Sequence, residues 1–359
     1  MKCFIITIHH IHNFGSIFQA YALARFLQLN GYNPEIIDYR PGYYKLGKNK
    51  LKTIIGKILN LLSYHRRKKK FEAFISNHDN LSEKQFHDIS ELEKSFRHNN
   101  DIFIAGGDQL WNDYHHCGKD DSYKLTFTDS PRKIAYGTSM GRDNFSDEAL
   151  KKLSVLVNGF NKIMLREQST VAMLRKFTRI PVDHVIDPVG LLEVKEFSSL
   201  AVKPSSKEPY AVMYLADSGE LLNSAIEFLS QKMGLKIVHI CGFKKKCFCD
   251  YFIKDAGPEE ILGYIIHADF ILSASFHATM FSLMFQKPFA TLLPGKQTNA
   301  RINDLLKYVG LENRIIHSKE DLFQLETHID YTCANKILNE FREKSRIELL
   351  SALRETATK

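Results

Sequence analysis

Cysteine is scarce in this chain, with six in 359 residues. The six are scattered, which excludes the dense disulfide framework of small secreted domains and favours a reducing cytoplasm. Cys241, Cys247 and Cys249 lie close together with His239 nearby, but their spacing lacks the paired CxxC of a zinc knuckle. We therefore expect no bound metal, and whether this cluster binds anything stays open.

Long apolar runs are also missing. The longest stretch without a formal charge, residues 270–286, is interrupted by His277 and by several serines and threonines. A membrane-spanning helix needs about 20 predominantly apolar residues, so this stretch predicts a buried strand, a turn and a helix. The short apolar run at residues 3–8 lacks the features of a signal peptide and predicts a first strand. We expect a soluble protein.

The charge balance is strongly basic, with a formal net charge of +8. Such a balance favours an anionic partner or substrate. The only dense basic run, residues 65–70, lacks the interleaved aromatic residues of single-strand binders and the motifs of duplex readers, so no nucleic-acid partner is expected. Two alternatives stay open for this run. It is either a solvated helix face or a segment that contacts the acidic inner surface of a membrane peripherally.

Short β-rich runs alternate with helical patterns, which predicts an α/β fold with parallel sheets, and the length predicts two domains. A proline- and serine-bearing stretch at residues 203–209 is the best linker. The predicted domains are residues 1–204, with a basic helical insertion at about 45–80, residues 205–330, and a C-terminal helix at 331–359 that can cross back to the first domain. The predicted strands are 3–8, 35–39, 101–105, 133–137, 162–166, 182–186, 210–215, 236–241, 268–274 and 289–293. The predicted helices are 16–29, 71–77, 147–157, 169–177, 219–233, 258–267 and 333–353.

Two junctions between a strand and a helix in the first half carry loops of the ligand-binding type. After the first strand, Asn13 is followed by Gly15, which allows a tight turn, and by Ser16, which can cap the helix and leave N–H groups for an anion. The sequence is no GxGxxG motif, and a purely structural turn is the alternative.

The second loop, residues 105–112, has two glycines that let the backbone approach a ligand. Asp108, Gln109 and Asn112 supply hydrogen-bonding groups suited to sugar hydroxyls. Trp111, the only tryptophan, offers an apolar platform, and an ordinary core tryptophan is the alternative.

Cationic side chains occur at two further junctions. Arg166, beside Glu167, offers a planar fork to carboxylate or phosphate, with a structural ion pair as the alternative. His277 stands at the turn before an apolar helix, where it can grip an anion, deliver a proton or pack in the core. Downstream, the polar helix start with Lys296, Asn299 and Arg301 adds anion contacts or is simply solvated.

Taken in chain order, these motifs form one set: Asn13-Phe-Gly-Ser16 with Gln19-Ala-Tyr-Ala-Leu23, Gly106-Gly-Asp-Gln-Leu-Trp-Asn112, Ala135-Tyr-Gly-Thr-Ser-Met-Gly141, Arg166-Glu167, Asp187-Pro188 and Ser275-Phe-His-Ala-Thr279. The set resembles the polysaccharide pyruvyl transferase family over about residues 1–320. It departs from the family at Ala278, where glycine is usual, and at Gly107, where the loop often reads Gly-Ser.

The resemblance implies two Rossmann-like domains in a glycosyltransferase-B-like arrangement, with the acceptor on the first, phosphoenolpyruvate on the second and the site in the cleft between them. It also implies transfer of pyruvate from phosphoenolpyruvate to a sugar, as a ketal, during bacterial surface-polysaccharide assembly (exopolysaccharide or capsule). The acceptor is then a sugar or a lipid-linked oligosaccharide, and no cofactor is expected beyond the donor substrate.

Ketal formation needs a general acid, an anion clamp and a sugar-binding face. We assign the catalytic roles to His277 as general acid, Arg166 as anion clamp and Asp108 as base. The predicted substrate-binding residues are Asn13, Gly15, Ser16, Gly107, Gln109, Trp111, Ser275, Phe276, Thr279, Lys296, Asn299 and Arg301. Two rival functions stay open: a nucleotide-sugar glycosyltransferase of the same architecture, and a non-catalytic glycan or lipid-carrier binding protein.

Overall fold

The computed structural model describes residues 2–45, 61–206, 208–214, 219–240, 245, 247–293 and 300–357. The chain divides into two compact units. The first comprises Met1–Lys48, Ile75–Leu192 and Leu338–Lys359, and the second comprises Asn49–Phe74 and Glu193–Ile337. The predicted boundary at 204/205 lies inside the second unit, and residues 338–359 belong to the first.

The first unit is built on a seven-stranded sheet in which every neighbouring pair of strands is parallel. Its strands are β1 (Lys2–Ile6), β2 (Asn33–Tyr39), β3 (Leu81–Phe86), β4 (Ile102–Gly106), β5 (Lys133–Thr138), β6 (Lys162–Leu165) and β7 (Val182–His184). They lie in the order β3-β2-β1-β4-β5-β6-β7. Strands β1 and β4 are almost entirely buried, as parallel strands covered on both faces must be.

Among the described residues, four helices lie wholly within this unit: α1 (Phe14–Leu29), α3 (Ile89–Phe96), α4 (Asp147–Leu156) and α5 (Gln168–Leu174). Helix α2 (Leu61–His78) starts in the second unit and ends in the first. Asp88 caps α3 and Ser146 caps α4, each through a side-chain oxygen that accepts a backbone N–H of the first turn. The predicted helix at 71–77 is the last part of α2.

The second unit has a six-stranded parallel sheet of the same kind. Its strands are β8 (Tyr210–Tyr214), β9 (Lys236–Ile240), β10 (Tyr251–Ile253), β11 (Phe270–Ser273), β12 (Phe289–Leu292) and β13 (Ile315–Ile316), in the order β10-β9-β8-β11-β12-β13. Its helices are α6 (Val194–Ser198), α7 (Glu220–Glu227), α8 (Pro258–His267), α9 (Phe276–Met284), α10 (Ala300–Val309) and α11 (Lys319–Phe323). The last helix, α12 (Thr332–Ala357), starts in this unit and ends in the first.

The predicted α/β class with parallel sheets is confirmed. The sequence patterns missed β3, β10 and β13, which all pair on one side only. Strand β3 reads LSEKQF and is exposed along its middle, so its apolar pattern is too weak to be recognised. Among the described residues, no helix has both the length and the apolar character needed to cross a bilayer.

Each sheet reverses its strand order at one point. In the first unit β1 pairs with both β2 and β4, and in the second β8 pairs with both β9 and β11. Loops that leave the carboxyl ends of strands at such a point diverge and open a crevice where ligands bind. The loops after β1 and β4, and the turn after β11, are therefore where the site is to be sought.

Candidate functional site

A cavity of about 260 Å³ lies at the reversal point of the first unit. Four predicted site residues line it, Asn13 and Ser16 from the loop after β1 and Asp108 and Gln109 from the loop after β4. Residues nearly a hundred positions apart in the chain thus meet at one place because β1 and β4 are neighbours. We call this space the acceptor cavity, after the substrate that the sequence analysis expects on the first domain.

The start of α1 differs from the prediction. The cap is Asn13, whose Oδ1 accepts the backbone N–H groups of Gly15 at 2.9 Å and Ser16 at 3.3 Å. The helix is therefore capped by Asn13 and not by Ser16, and the two N–H groups bonded to Asn13 are not open to an anion in this structure. The Ser16 hydroxyl instead donates to Asp108 Oδ2 at 2.5 Å. Gly15 lies in the first turn of α1 and is not among the residues lining the cavity.

Asp108 is held in a left-handed conformation, with φ of 52°, which aspartate tolerates better than most residues. Its Oδ1 accepts the N–H of Gln109 at 2.8 Å. Gly107 before it has φ of 63°, and a Cβ there would stand 1.6 Å from Gln19 Oε1. Gly107 therefore shapes the loop that presents Asp108, which is a structural role where substrate contact was predicted.

Arg166 lies in a buried ion cluster. Its side chain is 1% exposed and contacts Asp187 at 2.5 Å, Glu167 at 3.4 Å and Asp108 at 3.9 Å. Burial lowers the pKa of Arg166, but the three carboxylates outweigh burial and raise it overall. The structural ion pair that was the alternative for Arg166 and Glu167 is therefore present, within a cluster that also includes Asp187 and Asp108. The role of Arg166 as an anion clamp stays a prediction.

An aromatic wall that the sequence analysis missed completes the acceptor cavity. It consists of Tyr43 and Tyr44, which follow β2, and His115 and His116 from the loop after β4. Tyr43 stacks on His116, with ring centroids 5.5 Å apart, and donates its hydroxyl to Asp120 Oδ2 at 2.8 Å. A signal was present in the sequence, because a Tyr-Tyr and a His-His pair each follow a strand at the carboxyl edge.

The two tyrosine hydroxyls of this wall and the neighbouring Cys117 thiol are not bases at neutral pH. Burial raises the pKa of Tyr43 and Tyr44 well above that of a free phenol, and Asp120 raises that of Tyr43 further. Burial likewise raises the pKa of the Cys117 thiol to about 11. These three side chains therefore stay protonated and act as hydrogen-bond donors.

Trp111 does not line the acceptor cavity. It is 2% exposed, packs edge-on against Phe160 and donates its indole N–H to the backbone oxygen of Tyr123 at 2.9 Å. The predicted role as a sugar platform at the Asp108 site is therefore corrected to a core role beside it. Asn112 donates to Gln109 Oε1 at 2.7 Å and so orients the Gln109 amide in the cavity wall.

In the second unit the turn after β11 is organised by hydroxyl groups. Ser273 donates to the backbone oxygen of Tyr214 at 2.6 Å and accepts the N–H of Ser275 at 2.9 Å. Ser275 caps α9 by accepting the N–H of Ala278 at 3.4 Å. Thr279 donates to the oxygen of Ser275 or shares a proton with Thr291, both at 3.1 Å, which gives it a structural place.

His277 stands in the first turn of α9 and is 5% exposed. Its ring packs edge-on against Phe276, and the guanidinium carbon of Arg301 lies 5.8 Å from the centre of the Phe276 ring. The first turn of α9 carries no acidic residue. The structure thus brings together Ser275, Phe276, His277 and Arg301 at the first turn of α9, where the helix dipole is positive. Lys296 and Asn299 lie outside the described residues.

The basic run at 65–70 belongs to α2 and is partly neutralised inside the second unit. Arg66 contacts Asp255 at 2.5 Å, and Lys70 contacts Glu260 at 2.7 Å. Of the cysteine cluster, Cys241 lies outside the described residues. In the part of the chain that the structure describes, no group of three or more His, Cys, Asp or Glu side chains is placed to hold a metal ion.

Comparison with known proteins gives a family and a fold. A family model described as polysaccharide pyruvyl transferase matches residues 13–294. A search of curated proteins gives no significant match.

Among solved structures, a putative UDP-N-acetylglucosamine 2-epimerase from Listeria monocytogenes is 10% identical with a TM-score of 0.57, covering 98% of this chain and 95% of its own. The UDP-GlcNAc 2-epimerase from Methanocaldococcus jannaschii is 14% identical with a TM-score of 0.52, covering 99% of this chain and 100% of its own. At such identities, these likenesses show a shared fold.

Proposed function

Since the chain belongs to the polysaccharide pyruvyl transferase family, we propose that this transferase moves the pyruvyl group of phosphoenolpyruvate onto two hydroxyls of a sugar, as a ketal. The observation that carries the proposal is the acceptor cavity, which combines a fixed carboxylate with aromatic rings and amide groups. The turn at His277 supplies the complementary cationic chemistry.

The sugar ring is proposed to lie in the acceptor cavity. Faces of Tyr43, Tyr44 and His116 suit the C–H-rich faces of a pyranose, while the amides of Asn13 and Gln109 suit its hydroxyls. None of the described residues lining the cavity is lysine or arginine. The cavity is therefore better suited to a sugar than to the triply charged donor.

Asp108 is the proposed base. Its two carboxylate oxygens accept from Ser16 and from the Gln109 backbone, and Arg166 lies 3.9 Å away. These contacts fix the direction of the carboxylate, as a base that must accept a hydroxyl proton requires. Because Tyr43, Tyr44 and Cys117 stay protonated, none of these three can replace it.

Phosphoenolpyruvate is proposed to bind at the turn after β11. The positive end of α9 and the guanidinium of Arg301 attract its phosphate and carboxylate. His277 would then protonate C3 of the enol, so that the double bond opens toward a methyl group while the first sugar hydroxyl bonds to C2. The second hydroxyl bonds to the same carbon as the C2–O bond to phosphate breaks, and the proton of this hydroxyl leaves with the phosphate. The products are the ketal and inorganic phosphate.

The experiment is to incubate the full-length protein with phosphoenolpyruvate and a panel of acceptor glycans, including lipid-linked ones, and to follow phosphate release and acceptor mass. Phosphate release that requires both substrates, with pyruvyl found on the sugar, supports the proposal. Turnover with a nucleotide sugar instead would select a glycosyltransferase. Binding of the glycan without any turnover would select a non-catalytic binding protein.

A further inference from the structure

A second cavity in the first unit, of about 590 Å³, shares no lining residue with the acceptor cavity. One of its walls is a face of α4, formed by Ala149, Lys152, Leu153 and Leu156. These positions are separated by three, four and seven residues, so they lie on one side of the helix. We call this space the α4 cavity.

The interior of the α4 cavity is apolar. Trp111, Met140 and Phe145 line it together with the leucines of α4. Arg142 lies between two aromatic rings, with its guanidinium carbon 4.1 Å from the centre of Tyr114 and 4.0 Å from that of Phe145. The same guanidinium donates to both oxygens of Asp113 at 2.6 Å. The aromatic side of the cavity is thus fixed in place and the charge of Asp113 is neutralised.

The remaining charges around the α4 cavity are unbalanced. Asp121 contacts Lys124 at 3.5 Å. The Lys124 side chain is 3% exposed, and its ammonium group also donates to the backbone oxygens of Gly118 and Asp120. Both acids that line the cavity are therefore used within the protein. Lys119 and Lys152 line the same cavity, are exposed and form no ion pair within the described part of the chain. An apolar interior with two unpaired ammonium groups is complementary to an anion that carries an apolar chain.

We propose that the α4 cavity binds an anionic amphiphile, an alkyl chain with a terminal phosphate. The chain packs against Phe145, Leu153 and Leu156, and the phosphate contacts Lys119 and Lys152. This site is separate from the acceptor cavity and does not depend on the proposed transferase reaction.

Trp111 offers a direct reporter, since it is the only tryptophan of the chain and lines this cavity. The experiment is a titration of the full-length protein with dodecyl phosphate, kept below its critical micelle concentration, while tryptophan emission is recorded. We expect a saturable change in emission. Lys119→Ala and Lys152→Ala should each raise the half-saturating concentration about 2- to 5-fold, the range of an exposed ion pair.

Two variants and two ligands sharpen the test. Ala149→Phe fills the cavity without removing a charge and should abolish the saturable change. Lys151→Ala, on the neighbouring exposed position of α4, should leave the titration unchanged. Inorganic phosphate and a neutral dodecyl glycoside should both bind far more weakly than dodecyl phosphate.

The proposal is overturned if dodecyl phosphate leaves the emission unchanged, or if the Lys119, Lys152 and Ala149 variants all titrate like the natural protein. Equal binding of inorganic phosphate would show a plain anion site, and equal binding of the glycoside a plain apolar one. Either result contradicts the proposed ligand class. All variants are compared after their thermal melting shows a folded protein, and the lysine variants, which are exposed, keep the test open if Ala149→Phe does not fold.

Discussion

The loop after β4 and the turn after β11 occupy the same place in their respective sheets, each on the strand across the reversal point. Their chemistry is opposite. The first carries Asp108, which lies in a buried cluster with Arg166, Glu167 and Asp187. The second has serine hydroxyls as its caps and carries His277, with Arg301 close to Phe276.

This difference shows that the repeated fold determines where a ligand can bind, whereas the side chains determine which ligand binds there. The carboxyl edge of a parallel sheet offers a crevice in either unit. An anionic, aromatic crevice suits a neutral substrate with exchangeable protons, whereas a cationic helix start suits a phosphate ester. The following predictions test that contrast, from the largest expected effect to the smallest.

The cationic side is tested first at His277. His277→Ala should lower the rate of phosphate release by about 10²- to 10⁴-fold, the contribution typical of a general acid, while the protein stays folded. The measurement is acceptor-dependent phosphate release at saturating phosphoenolpyruvate. His317→Ala, an exposed histidine of the same unit, is the matched control. A His277 variant as active as that control would remove the proposed acid.

Asp108→Asn tests the anionic side without changing the shape of the loop. Asparagine also tolerates the left-handed backbone at this position, so the loop should persist. We expect kcat to fall about 10²- to 10³-fold because an amide cannot accept the hydroxyl proton. The KM for phosphoenolpyruvate should change little, since the donor binds elsewhere. A selective rise in that KM with kcat preserved would assign Asp108 to the donor instead.

Two glycines allow the cost of steric crowding in the Asp108 loop to be distinguished from the cost of a positive φ angle alone. Gly107 and Gly310 both have positive φ, 63° and 72°, but only Gly107 is crowded, by Gln19. Gly107→Ala should lower the free energy of unfolding by about 2–4 kcal/mol, and Gly310→Ala, with open space around it, by about 1 kcal/mol. Urea denaturation measures both. If both substitutions lowered the free energy of unfolding by the same amount, the Gln19 side chain would have to move away from the new methyl group at position 107.

Asp79 is another buried carboxylate of the first unit, and it differs from Asp108 in having no hydrogen-bond donor within the described part of the chain. Neither of its oxygens has a hydrogen-bond partner among the described residues, and burial raises its pKa to about 8. Because the folded state then binds a proton that the unfolded state has lost, stability should fall as pH rises between about 4 and 8.

Asp79→Asn should remove this dependence. The variant should be more stable than the natural protein by about 1–3 kcal/mol above pH 8, and similar to it near pH 4. Urea midpoints across this pH range provide the measurement. Parallel pH profiles for the two proteins would refute a buried, unpaired carboxyl at this position.

The smallest effect is expected at the aromatic wall. Tyr43→Ala should raise the KM for the sugar about 2- to 10-fold through loss of stacking, with the KM for phosphoenolpyruvate unchanged. Tyr43→Phe keeps the ring and loses only the hydroxyl bonded to Asp120, so its effect should be smaller. Steady-state kinetics with each substrate varied in turn distinguishes the two losses. If Tyr43→Ala affected only the donor, the sugar would not lie in this cavity.

The sequence predicted the fold class and part of the site for physical reasons. Buried parallel strands are apolar runs, so β1, β4 and β11 were recognisable, and the motifs that follow them carried the resemblance to the family. The convergence of Asn13, Ser16, Asp108 and Gln109 followed from the meeting of two loops at one sheet edge.

What the sequence could not show has a common cause, which is that partners distant in sequence surround a side chain. Arg166 was predicted as a clamp without sight of Asp187 and Asp108, which the fold places beside it. For the basic run at 65–70, the fold adds Asp255 and Glu260, which contact it from almost two hundred residues away. Tyr43 and His116 lie in or beside short 3-10 turns, outside the α-helices and strands, so no periodic pattern in the sequence points to them.

The C-terminal helix α12 has a consequence for the order in which this protein is made. Arg342 and Arg346 donate to the backbone oxygens of Gly190 and Leu191, and the Ile186 N–H bonds to Ser345. The neighbouring Pro188 packs near Gly107, beside the loop that carries Asp108. A ribosome must therefore synthesise the entire second unit before the first can close its last hydrogen bonds. Nascent chains halted short of residue 338 should hold an unfinished Asp108 loop, so catalytic competence arrives only with the final helix.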